Sequence, residues 1–223
     1  MARIAYIDDE TATPAQRAVI EGRKQVFDGR DSAFQRIVTR TPKVAAWFLP
    51  FSLTLQRGGA GGLLDGRTKE LAVLKTSFVN RCTFCASHNT SLGQEVGLTM
   101  EQINAVESDE YLTSDVLDDR DKAIVRWAEA VTKNESRRDS AAFSNLQRYF
   151  NDDEIVELTW VSALFNMVNR INESLWLDVE ERDLREIKAP VDERRVLEFV
   201  RLMLENAESE LDKDELAKTR TQV

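Results

Sequence analysis

Apolar residues recur along this chain every three to four positions, and nowhere do they alternate with polar ones for more than a few residues. That period belongs to amphipathic helices, so an all-α fold is predicted. Thr13-Pro14-Ala15-Gln16 supplies an N-cap, a proline at the first helical position and a capping-box partner, opening a helix that fades near Gly29. A short helical piece over 33–39 stops before Pro42, and another follows over 43–56. Asp65 caps the next helix, whose expected core face is Leu71, Val73, Leu74, Phe78 and Val79. A new helix starts near Cys82 and runs to Gly97, which suits the left-handed position after a helix end. Thr99 caps a short helix reaching Val106, and three more are expected over 118–132, 140–150 and 152–177.

Two stretches break the pattern. Gly58-Gly59-Ala60-Gly61-Gly62 holds four glycines, yet no Gly-Lys-Ser/Thr follows, so it is no phosphate loop. A flexible joint is the expected reading, with a mobile cover over an active site as the alternative. Pro190 opens a last segment with apolar positions Val196, Phe199, Val200 and Leu202, which fades into a charged tail from Glu205 to Val223. Residues 1–180 are therefore expected to form one helical domain with its core over about 35–180. Residues 181–223 are expected to be a helical extension with a solvated tail.

Composition narrows the function classes. With 30 Lys and Arg against 39 Asp and Glu, the net charge of -9 argues against a nucleic-acid partner, which requires clustered cations. The longest apolar stretch, 158–168, is interrupted by Asn166 and too short to span a bilayer. The first ten residues hold no secretory apolar run, and two cysteines cannot staple a secreted scaffold. A cytosolic protein with reduced thiols is expected, without nucleic-acid or membrane partners.

The candidate chemistry lies in one short segment. The two cysteines and the single histidine all fall within Cys82-Thr83-Phe84-Cys85-Ala86-Ser87-His88. On a helix, Cys82 and Cys85 stand one turn apart, with Cβ atoms roughly 5–6 Å from each other, close to the roughly 3.8 Å a disulfide requires. A thiol at a helix N-terminus gains from the unpaired N–H groups there. His88 shares a face with Cys85 and could serve as its base. A dithiol that attacks and resolves is the equipment of a thiol peroxidase or disulfide reductase. Two alternatives stand beside this. The cysteines could be small buried hydrophobes next to an ordinary histidine. They could hold zinc, although the fourth ligand would have to be a carboxylate or come from another chain. Glu70, twelve residues before Cys82, is either a solvated surface residue or a carboxylate folded back onto the imidazole. Asn166, Asn169 and Asn172 recur every three residues, as a hydrogen-bond ladder or, alternatively, as substrate contacts. Trp47, Trp127, Trp160 and Trp176 are expected in the core or at a subunit interface.

Glu70, eleven intervening residues, Cys82-x-x-Cys85 and a nearby histidine resemble the signature of the carboxymuconolactone decarboxylase superfamily, in its alkylhydroperoxidase D-like, peroxidase-related branch. Leu64-Asp65-Gly66-Arg67 ahead of Glu70, Gly97-Leu98-Thr99 after the motif, and the stretches 150–158 and 165–170 extend the likeness over roughly 35–180. The resemblance implies an all-α homo-oligomer (dimer, trimer or hexamer) with its site in a pocket near subunit contacts. It implies that Cys85 attacks a small hydroperoxide, that Cys82 resolves, and that Glu70 and the histidine relay protons. A dithiol or protein reductant would regenerate the pair, with no cofactor and no metal. The redox branch places its histidine four residues after the second cysteine, where this chain has Asn89, and His88 stands one position early. Two further functions remain beside the peroxidase: a cofactor-free decarboxylase or ring-opening enzyme using His88 as base, and a non-catalytic oligomeric redox sensor.

Overall fold

The computed structural model describes residues 2–180 and 191–221, and for 210–221 the helical backbone alone. The expected opening of the last helix at Pro190 lies outside the described residues. Among those described, every regular element is helical. In chain order these are α1 (Pro14–Val26), α2 (Ala33–Val38), α3 (Pro42–Gln56), α4 (Gly66–Val79), α5 (Thr83–Glu95), α6 (Met100–Glu107), α7 (Asp119–Thr132), α8 (Ser140–Leu146), α9 (Asp152–Leu175) and α10 (Glu193–Thr221). No helix among the described residues is long and apolar enough to cross a membrane.

The helix starts follow the local capping chemistry. Thr13 and Thr99 each complete a capping box, and Asp65 accepts from the Thr68 amide. Gly97 adopts φ +92°, which frees the chain to leave α5. The helix expected over 152–177 ends at Leu175, because Trp176 takes a left-handed conformation and caps it. The helix expected over 140–150 closes at Leu146.

Helix α4 lies at the centre, packed against α3, α5, α6, α7 and α9. Its burial is therefore complete rather than one-sided, with every residue from Thr68 to Ser77 out of solvent. Three charged residues are caught in this, and each needs a partner. Lys69 reaches Glu157 and the Thr54 carbonyl, both at 2.9 Å. Lys75 reaches the Val106 and Ser108 carbonyls and sits over the Tyr111 ring. Glu70 belongs to the site described below.

The glycine run is a packed turn rather than a loose joint. A Cβ on Gly62 would lie 2.5 Å from both Glu157 Oε1 and Lys69 Nζ, and one on Gly58 would lie 2.5 Å from the Gly66 nitrogen. The amides of Leu63 and Leu64 then donate to the Glu157 carboxylate. Glycine is required here for close approach.

A second, smaller core forms where α10 packs back on α1 and α3, burying Val196, Phe199 and Met203 against Val19 and Leu49. Of the four tryptophans, only Trp127 is buried, its indole N–H on Thr159 Oγ1 at 3.0 Å. Trp47, Trp160 and Trp176 are more than half exposed, at 54%, 53% and 64%.

Candidate active site

The dithiol segment begins at a two-residue break between α4 and α5. Asn80 ends α4, and Arg81 turns the chain through φ 55°. The Asn80 side-chain amide donates to Asn166 Oδ1 at 3.0 Å and Asn169 Oδ1 at 2.9 Å, tying the break to α9. Cys82 then stands where Ser or Asp usually caps a helix, and its sulfur accepts the Cys85 amide at 3.4 Å. Both thiols are free and buried.

Cys85 is the better nucleophile of the two. The Cys82 S–H beside it favours its thiolate, and hydrogen bonds from Asn169 and Asn172 add to this, so its pKa falls below the usual thiol range despite burial. The Asn172 amide nitrogen lies 3.0 Å from Cys85 Sγ. The Cys82 thiol is pushed the opposite way, by its hydrogen bond to Cys85 and by burial. The asparagine series is thus structural at Asn166, shared between ladder and site at Asn169, and part of the site at Asn172.

A cavity of about 130 Å³ opens on this sulfur. It touches Cys85 but not Cys82, and Phe27, Phe34, Phe48, Phe84 and Phe165 supply much of its wall. Its volume is close to the roughly 150 Å³ that holds one benzene-sized ring. His88, Asn89, Gln56, Asn172, Arg23 and Arg57 contribute polar edges.

The structure does not join Glu70 to His88 by a hydrogen bond. The His88 ring stacks on Phe84 with centroids 4.2 Å apart, Nδ1 faces the Phe84 carbonyl at 2.9 Å, and Nε2 faces Glu180 Oε2 at 2.7 Å. Both nitrogens lie against oxygens other than the Cys85 sulfur, so the ring is held in contacts that do not involve that thiol. Burial pushes the Glu180 carboxyl up, but its bonds to His88 and to the Ala33 amide outweigh this and hold it below the usual range. Glu180 is 92 positions from His88 in the chain, and no local pattern points to it.

Glu70 faces the other way. Gln56 Nε2 bridges it to Asn89, lying 3.5 Å from Glu70 Oε1 and 3.0 Å from Asn89 Oδ1. The Asn89 amide in turn donates to the Cys85 carbonyl at 2.8 Å. Glu70 is therefore connected to the position where the redox branch carries its histidine. Burial raises its pKa to about 8 against the opposing pull of Arg57 and Gln56, and its Oε2 has no hydrogen-bond partner among the described residues. It holds a proton at neutral pH. Among the described residues, no cluster of three His, Cys, Asp or Glu side chains forms a metal ligand set.

Residues 42–130, which contain Glu70, Cys82, Cys85 and His88, match the model of the carboxymuconolactone decarboxylase family. Over these residues the chain is similar to that family. Its fold is that of the alkylhydroperoxidase D-like, peroxidase-related proteins. A peroxidase-related protein of Ralstonia eutropha with the alkylhydroperoxidase core superposes with a TM-score of 0.70 at 18% identity, over 85% of this chain and 97% of that one. The debrominase Bmp8 superposes with a TM-score of 0.64 at 19% identity, over 87% of this chain and 96% of that one. Bmp8 has also been solved as a Cys→Ala variant with 2,3,4-tribromopyrrole. In sequence, the uncharacterized protein YdfG of Bacillus subtilis is 24% identical over 110 residues, 49% of this chain and 74% of that protein. The likeness in fold thus extends well beyond the 42–130 match.

Proposed function

We propose that the chain is a thiol-dependent oxidoreductase that reduces small hydroperoxides at Cys85. The observation that supports this most is the asymmetry of the pair. Cys85 faces the cavity with Asn172 on its sulfur, while Cys82 stands one turn behind, out of the cavity and held as the thiol. The Cys85 thiolate attacks one peroxide oxygen. A sulfur–oxygen bond forms, the oxygen–oxygen bond breaks, and the departing alkoxide takes a proton to leave as an alcohol. Cys82 then attacks the Cys85 sulfenic acid, releasing water and closing the disulfide. A dithiol restores both thiols by two exchange steps. Glu70, Gln56 and Asn89 fix the first turn of α5 from behind, through the Cys85 carbonyl. Steady-state reduction of cumene hydroperoxide with dithiothreitol as donor tests the reading. Turnover should vanish in Cys85→Ser, and full retention would refute it.

One observation favours a second substrate for the same thiols. The ring-sized, phenylalanine-walled cavity suits a halogenated aromatic, and a structural neighbour is a debrominase. Reductive removal of bromide needs the same two electrons: the carbon–bromine bond gives way to carbon–hydrogen, bromide leaves, and the two thiols become a disulfide. Decarboxylation with His88 as base fits less well, because both ring nitrogens are engaged.

The working form is proposed to be a closed homo-oligomer. Trp47 and Phe51 on α3 and Val156, Trp160 and Met167 on α9 are exposed apolar residues, and the Phe51 and Trp160 rings meet edge to face. Free thiols suit a reducing, cytosolic setting.

A further inference from the structure

We propose that the cavity selects compact, ring-sized substrates bearing a carboxylate, which Arg23 and Arg57 hold while the apolar part lies against the phenylalanines beside Cys85. This rests on the reading of Cys85 as the nucleophile facing that cavity.

Arg23 is the principal observation. Its side chain is fully buried, at 0% exposure, yet only Nη2 has a counter-charge, on Asp31. Its Nε and Nη1 have no hydrogen-bond partner among the described residues, and the residue lines the cavity. Leaving charged N–H groups buried without acceptors is costly, so a site with two of them is incomplete without an anion. Arg57 Nε is likewise buried and unpartnered in the same wall. Burial pulls the Arg23 guanidinium down to about 9, and it also lowers Arg57. A bound anion would restore both.

The charge balance points the same way. The lining holds Arg23, Arg30 and Arg57 against Asp31 as the only acidic lining residue, and Asp31 is shared with Arg36. Glu70, near Arg57, keeps its proton at neutral pH and does not neutralise it. A chain of net charge -9 has therefore gathered cations around one apolar cavity. A carboxylate fits a guanidinium with two parallel hydrogen bonds. Arg23 and Arg30 precede the stretch matched by the family model and Arg57 lies within it, so the feature joins the N-terminal part of this chain to the matched region.

Benzoate, which thiols do not attack, is the probe, and protection of Cys85 from iodoacetamide in the reduced full chain, followed by peptide mass spectrometry, is the readout. Benzoate should protect at a concentration about tenfold or more below that of benzamide, its neutral counterpart, as a charge-assisted pair implies. In Arg57→Met, and separately in Arg23→Met, that preference should shrink to about threefold or less. Each variant is referred to its own unprotected rate, so changes in thiolate reactivity cancel. Equal protection by benzoate and benzamide in the unaltered chain overturns the proposal without recourse to a variant. So does a preference retained in either variant, or no protection by benzoate at all. Failure of peroxide turnover would leave every one of these readouts intact, so the two readings fail separately.

Discussion

The side-chain amide of Asn172 donates to Cys85 Sγ at 3.0 Å, from a helix 87 positions further along the chain. Cys85 therefore owes its thiolate character to a neighbouring thiol and to α9 rather than to an imidazole. Hydrogen bonds to a charged group contribute roughly 1.5–3 kcal/mol, and each pKa unit is about 1.4 kcal/mol. Asn172→Leu is thus expected to move the pH profile of Cys85 alkylation up by about one to two units, measured as iodoacetamide rate against pH. An unmoved profile would remove Asn172 from the site.

His88 gives the opposite expectation. Its Nδ1 lies against the Phe84 carbonyl and its Nε2 against Glu180, so neither nitrogen is engaged with the Cys85 thiol. His88→Ala should leave the midpoint of the Cys85 pH profile where it is in the unaltered chain. An upward shift in His88→Ala as large as that in Asn172→Leu would restore the imidazole as activator.

How far the site could be read from the sequence depended on range. Thr13, Asp65, Thr99 and Gly97 work through bonds to residues three to five positions away, so the helix boundaries they set were legible. The Cys82–Cys85–His88 cluster was legible for the same reason. The partners that set its chemistry were not, because Asn172, Glu180 and Arg23 come from distant elements, and only packing brings them to α5. Helix α4 misled for a related reason. Its apolar positions pointed to one core face, yet α4 is surrounded on all sides, and Lys69 and Lys75 are met by distant groups while Glu70 is held neutral.

Glu70 leaves a signature in stability. Its pKa is about 8 in the folded chain against an ordinary 4.5, so between those values the native state binds the extra proton. This group's contribution therefore falls as pH rises from about 4.5 to 8 and is level above that. The total is on the order of several kcal/mol for a fully buried carboxyl. Glu70→Gln should flatten this slope in urea unfolding, matching the original chain near pH 5 and exceeding it above pH 8. A variant less stable than the original chain at high pH would contradict the buried, protonated assignment.

Assembly is tested by mass in solution. The exposed edge-to-face pair Phe51 and Trp160 should be covered by a second copy, so light scattering at micromolar concentration is expected to exceed the 25.4 kDa of one chain. Trp160→Asp should return the particle toward the monomer. A monomeric mass for the unaltered chain would rule out the homo-oligomer.

The division of labour between the two thiols is most directly measured by stoichiometric peroxide titration with intact and peptide mass spectrometry. One equivalent of hydroperoxide should remove both free thiols and leave a Cys82–Cys85 disulfide. In Cys82→Ser, the same equivalent should leave a sulfenic acid on Cys85, trapped by dimedone. Sulfenic acid on Cys82 in the Cys85→Ser chain at the same rate, or loss of neither thiol in the unaltered chain, would contradict Cys85 as the attacking residue.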